Sequence, residues 1–76
     1  MTVPVVASFI AKLGKESQVQ SLFRGVIETT LKEDGCVSYQ LNCDTENLRR
    51  FVWTEEWHSK AQIERHIRAA HIINVV

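Results

Sequence analysis

Apolar and polar residues alternate along three stretches of this chain and recur at helical spacing along two more. Residues 3–12 (VPVVASFIAK) are rich in Val, Ile and Phe and read as a first strand. Pro4 sits near its start, where a missing N–H is tolerated. Leu13-Gly14 is the turn that closes it. Over residues 15–33, Val19, Leu22, Phe23, Val26, Ile27 and Leu31 follow the i, i+3, i+4, i+7 spacing of one long amphipathic helix. Glu16 suits the positive N-terminal end of its dipole. Asp34-Gly35 stops it, with Gly free to take the left-handed position beyond the last turn. Gly25 lies inside this helix at a cost of about 1 kcal/mol relative to Ala.

Alternation returns at residues 36–44. Val37, Tyr39, Leu41 and Cys43 share one face; Ser38, Gln40 and Asn42 share the other. Asp44-Thr45-Glu46-Asn47 is a polar turn with Asx chemistry. Over residues 49–57, Phe51, Trp53, Glu55 and Trp57 point one way and Arg50, Val52, Thr54 and Glu56 the other. The short turn joins these two strands as an antiparallel hairpin. Ser59 and Gln62 form an S-x-x-Q capping box that opens a second helix over residues 60–70. Its inner stripe is Ile63, His66, Ile67 and Ala70. Residues 71–76 carry a β-branched run that reads as a short fourth strand or as more helix. The order is the α+β, ferredoxin-like split β-α-β with an antiparallel sheet, its fourth strand short or missing.

Composition narrows the partners. The 76 residues suffice for a single domain, residues 1–76, and 45% of them are hydrophobic. So apolar a chain on so small a core points to burial against a second copy. Nine basic and nine acidic side chains cancel, leaving no electrostatic footprint for nucleic acid or an anionic membrane. The apolar run at residues 3–11 is too short to span a bilayer and lacks the basic start of a signal peptide, which places the protein in the cytoplasm. Cys36 and Cys43 are seven positions apart on one strand, on opposite faces and roughly 23 Å from each other. That spacing reads as two reduced thiols.

The residues in order now carry a resemblance. Glu33-Asp34-Gly35-Cys36 followed by Tyr39 gives E-x-G-C-x-x-Y; Glu55 and Trp57 give E-x-W; His66 stands nine residues after that Trp. With Ala7, the Gly14 turn, Phe51 and His71 in sequence, residues 3–71 resemble the antibiotic biosynthesis monooxygenase family. The resemblance implies a homodimer that closes a dimeric α+β barrel, and oxidation of a small aromatic substrate (a phenol, quinol or anthrone) by O2 without a cofactor. Members commonly run some way past the His71 region into a further helical segment and a full fourth strand, so a chain stopping at Val76 lacks part of the pattern. Haem-degrading relatives look to an Asn in the first strand and a Trp near the position of His66. Ala7 and His66 stand there, so haem degradation is not expected.

The candidate site combines His66 and Glu55 as catalytic residues with Trp57, Trp53, Tyr39 and His71 as substrate-lining residues or secondary donors. Glu55 and Trp57 share the apolar face of the third strand, and His66 belongs to the helix stripe that covers it. A His oriented by a carboxylate among aromatic rings removes a phenolic proton. The same pair also reads structurally, as a buried Glu satisfied by a His that fastens helix to sheet. His71, at a helix end, suits a capping role. His66 and His71 are five apart, not the four that sets two ligands on one helix face, so no metal site is expected. Two functions stay open: a cofactor-independent monooxygenase, and a non-catalytic dimeric module that binds a small aromatic ligand or a protein partner. An isomerase acting on a small carbonyl compound is a third.

Overall fold

The computed structural model describes residues 1–73. Three strands, β1 (Val3–Ile10), β2 (Cys36–Cys43) and β3 (Arg50–Trp57), form one antiparallel sheet in the order β1-β3-β2. The strand with the strictest alternation takes the centre. On β3, Phe51, Trp53, Glu55 and Trp57 are buried, while Arg50, Thr54 and Glu56 are exposed. Its register aligns three-strand rows across the sheet: Val5, Glu55 and Tyr39 in one, Ala7, Trp53 and Leu41 in the next. Four helical segments, α1 (Glu16–Arg24), α2 (Ile27–Leu31), α3 (Lys60–Ile67) and α4 (Ala70–Ile73), complete the described chain. They cover the inner face of the sheet, where Phe23 of α1 meets Phe9, Phe51 and Trp53 ring to ring.

The expected helix over residues 15–33 is two helices. The Gly25 N–H still reaches Ser21 at 3.1 Å, but the Val26 N–H closes a tighter turn onto Phe23 at 3.3 Å. The helix restarts at Ile27 with a shifted phase. Phe23 and Val26 are buried as expected, whereas Leu22 and Leu31 are exposed and Thr30 is fully buried in their stead. The second helix also ends early. A turn at Arg68-Ala69 separates α3 from α4, and Ala70 faces solvent. Residues 70–73 are thus helical; the remainder of the predicted fourth strand lies outside the described residues.

A register shift between Cys36 and Ser38 corrects the reading of β2. The extra residue turns Val37 out, to 46% exposure, and turns Cys36 in against the core. Cys36, opposite Trp57, and Cys43, opposite Phe51, therefore share a face at the two ends of the strand, both as free thiols. The Asx turn forms as read, with the Glu46 N–H donating to Asp44 Oδ1 at 2.8 Å. The capping box does not. Ser59 Oγ donates to Gln62 Oε1 at 3.1 Å and makes no bond to a backbone N–H. Gln62 in turn donates to Asp34 Oδ2 at 3.4 Å, tying α3 to the corner before β2. Gly35 holds that corner in the left-handed region at φ 86°, where a Cβ would run into the Gln62 side chain.

Candidate functional site

Between the inner face of the sheet and the helices lies a cavity of about 300 Å³. That is the lower end of the range for pockets that enclose a small organic ligand. Its floor is the two strand rows, Val5, Glu55 and Tyr39 with Ala7 and Trp53. Phe23 and Val26 form one wall. Ile63, His66 and Ile67 of α3 form another, and Ile72 of α4 closes an end. The tail thus contributes to the cavity through a helical turn.

The walls are almost wholly apolar, so the few polar groups stand out. Tyr39 stacks on Trp53 with ring centroids 4.4 Å apart. Burial pushes the Tyr39 phenol far above its ordinary range, and the nearby Glu55 carboxylate adds to the rise. Tyr39 is therefore a proton-bearing hydrogen-bond donor at neutral pH. Glu55 is buried at 7% exposure and accepts the Trp57 indole N–H at 2.9 Å. Trp57 itself is fully buried beneath the site and does not line the cavity.

His66 is buried at 5% exposure, with its ring 4.8 Å from that of Trp57 and 5.3 Å from that of Tyr39. Its carboxylate partner is not Glu55. Nδ1 stands 2.7 Å from Glu33 Oε2, in the corner between α2 and β2. The expected Glu55–His66 pair does not form: His66 Nδ1 is bonded to Glu33, and Glu55 Oε1 accepts the Trp57 N–H instead. Glu33 takes Nδ1–H, which leaves Nε2 as the lone-pair nitrogen. No described group bonds Nε2, and no buried polar atom among the described residues lacks a partner. Nε2 is thus not sealed off, and His66 is one of the residues that line the cavity.

His71 lies on the other side of the same carboxylate. Its Nε2 is 3.1 Å from Glu33 Oε2 and 3.0 Å from Thr30 Oγ1. It does not line the cavity. The structure therefore gathers Tyr39, Trp53, Glu55 and His66 at the cavity and sets Trp57 and His71 behind it. Sequence reasoning missed Glu33 and Thr30 as site residues. The signal for Glu33 was its place at the head of the E-x-G-C-x-x-Y run. Thr30 carried none, since it lies off the apolar stripe of a continuous helix.

Comparison with known proteins follows the same outline. The model of the family described as antibiotic biosynthesis monooxygenase matches residues 2–76. The chain belongs to this family. A crystal structure of a conserved protein from Methanosarcina mazei Go1 is 32% identical, with a TM-score of 0.89 over 99% of this chain and 74% of that one. A protein from Mycobacterium tuberculosis is 28% identical, with a TM-score of 0.89 over 99% of this chain and 76% of that one. A structure described as an antibiotic biosynthesis monooxygenase is 29% identical, with a TM-score of 0.90 over 99% of this chain and 78% of that one. No curated protein matches. The shared antibiotic biosynthesis monooxygenase fold is the ferredoxin-like α+β architecture, and no helix among the described residues is long and apolar enough to cross a membrane.

Proposed function

We propose that this chain is a cofactor-independent monooxygenase acting on a small phenol, quinol or anthrone, working as a homodimer in the cytoplasm. The observation that carries the reading is His66, which lines an apolar cavity of about 300 Å³ and whose Nδ1 is held by Glu33 at 2.7 Å, with no described partner on Nε2. A carboxylate behind an imidazole fixes the tautomer and stabilises the imidazolium that forms when the ring takes a proton.

The chemistry runs in balanced steps. His66 Nε2 removes the proton of the substrate hydroxyl, or of the anthrone carbon, and leaves an electron-rich anion. That anion passes one electron to O2, giving a substrate radical and superoxide. The two combine through a C–O bond to a hydroperoxide, with the imidazolium proton returned to the distal oxygen. Loss of water then yields the quinone, so one O2 supplies one oxygen to product and one to water. The Tyr39 hydroxyl, which has Thr30 as its side-chain hydrogen-bond partner, is the wall group that turns to donate to the developing oxyanion. Glu55 accepts from a second substrate hydroxyl, as a quinol carries. Trp53 and the aliphatic walls exclude water around the radical pair.

Oxygen consumption by purified protein against hydroquinones and anthrones, without added metal or flavin, tests this. Uptake above the spontaneous rate that disappears in a folded His66→Ala variant is the expected result. Uptake that persists in His66→Ala removes His66 as the base. No uptake from a folded dimer returns the fold to the role of a ligand-binding module.

A further inference from the structure

We propose that Glu33, His66 and His71 bind a divalent transition ion of the zinc class on the side of His66 away from the cavity, and that this ion switches the tautomer His66 presents to substrate. One ring nitrogen of each of His66 and His71 and a Glu33 carboxylate oxygen all lie within 4.8 Å of one another, and the nitrogens turned to Glu33 are His66 Nδ1 and His71 Nε2. Two imidazoles and a carboxylate are a donor set that such ions accept, at bond lengths of about 2.0–2.2 Å. Ligand atoms around a tetrahedral ion of that size lie roughly 3.3 Å apart. The Glu33 oxygen is now 2.7 Å from His66 and 3.1 Å from His71, so a retreat of a few tenths of an ångström opens the site.

Three elements supply the three ligands: the corner before β2, α3, and α4. The five-residue spacing of the two His residues would forbid this on one continuous helix. The turn at Arg68-Ala69 ends α3 and brings His71 back toward Glu33. Access also fits. The side chains of Glu33 and His71 are 19% and 22% exposed, whereas that of His66 is 7% exposed and forms the dry inner wall. Thr30 Oγ1, fully buried and 3.0 Å from His71 Nε2, now shares that nitrogen with Glu33 and releases it to the ion when the metal binds.

The ion and the Nδ1 proton compete for one nitrogen. Without metal, Glu33 keeps that proton and Nε2 faces the cavity as a base. With metal on Nδ1, the neutral ring carries its proton on Nε2 and faces the cavity as a donor. The site stands on its own geometry; only its consequence for turnover rests on His66 being the base.

Zn²⁺ alone is the probe, competed against a chromophoric chelator on the full chain, with long-range ¹H–¹⁵N spectra reporting the His66 tautomer. One Zn²⁺ per chain is expected. Glu33→Gln and His71→Ala each weaken it about tenfold or more, since even outer partners of metal ligands are worth that much. The exposed His58 serves as control, and His58→Ala leaves binding unchanged. On saturation the His66 signals change from the Nδ1–H to the Nε2–H pattern. Binding that survives both Glu33→Gln and His71→Ala, no competition with the chelator, or an unchanged His66 tautomer at saturation overturns the proposal. A metal-free protein that consumes no oxygen counts against the base assignment alone, because the binding and tautomer results do not depend on turnover.

Discussion

The Glu33 carboxylate meets His66 at 2.7 Å and His71 at 3.1 Å through the same oxygen, Oε2. One carboxylate oxygen thus holds two imidazoles, one facing the cavity and one toward solvent. Glu33→Gln keeps an oxygen able to accept from Nδ1–H but removes the charge that stabilises the imidazolium. Oxygen uptake should fall about 10²-fold in kcat, within the usual worth of a positioned base, with KM little changed. Steady-state rates on an oxygen electrode check this. A wild-type kcat in Glu33→Gln would show that the carboxylate only fastens the corner to α3.

Trp57 is the side chain on which Glu55 depends. Its ring has no exposed surface, and its indole N–H is the donor that satisfies Glu55 at 2.9 Å. Trp57→Ala should lower stability by about 3–5 kcal/mol through the cavity it leaves. Trp57→Phe keeps most of the volume and strands the buried carboxylate, costing about 1–3 kcal/mol. Urea unfolding of both variants gives the two numbers. A loss below about 1 kcal/mol for Trp57→Ala would mean that the ring is not packed as described.

Much of this arrangement was legible in the chain. The alternation on β3 is clear because only one face packs under the helices, and it identifies Phe51, Trp53, Glu55 and Trp57 as inward residues. The run from Glu33 to His66 identified the fold. What failed were events that a repeating pattern does not encode. An interior Gly lowers helix propensity but does not say that the chain will restart in a new phase, so Thr30 was missed and Leu31 was placed inside. The extra residue at Val37 reverses the inward and outward assignment of one end of β2 only. Glu33 and His66 are 33 positions apart, and their contact exists only after α2, β2 and α3 have packed. Glu55 drew the eye because it sits on the right face, yet the carboxylate bonded to His66 Nδ1 comes from the corner before β2.

Alkaline pH should loosen the fold through Tyr39 and Cys36. Both protons are held more tightly in the folded chain than in the unfolded one. For Tyr39, burial is the main cause and the Glu55 charge adds to it; for Cys36, burial leads, followed by Glu33 and Glu55. The folded state thus binds more protons than the unfolded state at high pH, so stability declines as pH rises. The contribution is whole below the ordinary thiol value of 9.0, begins to fall there, and falls further above the ordinary phenol value of 10.0. Urea midpoints measured from pH 8 to 11 should drop, and Tyr39→Phe should flatten the upper part of the curve. An equal slope in Tyr39→Phe would assign the loss to other groups.

The outer face of the sheet is the surface on which a second copy is expected to dock. All four helices cover the inner face, while Val6 and Ile10 on the outer face of β1 are 72% and 56% exposed. Val52, opposite Ser8 on β3, extends this apolar strip across two strands. A strip of this kind, on a chain with so little core, is better covered than left in water. Light scattering at micromolar concentration should give twice the mass of one chain. Val6→Lys places a charge in the middle of the strip and should shift the equilibrium toward monomer, while leaving the inner-face cavity untouched. A monomeric wild-type chain would remove the barrel-type assembly. A Val6→Lys variant that stays dimeric would move the interface elsewhere, the edge of β1 that pairs with no strand among the described residues being the next surface to test by the same substitution logic.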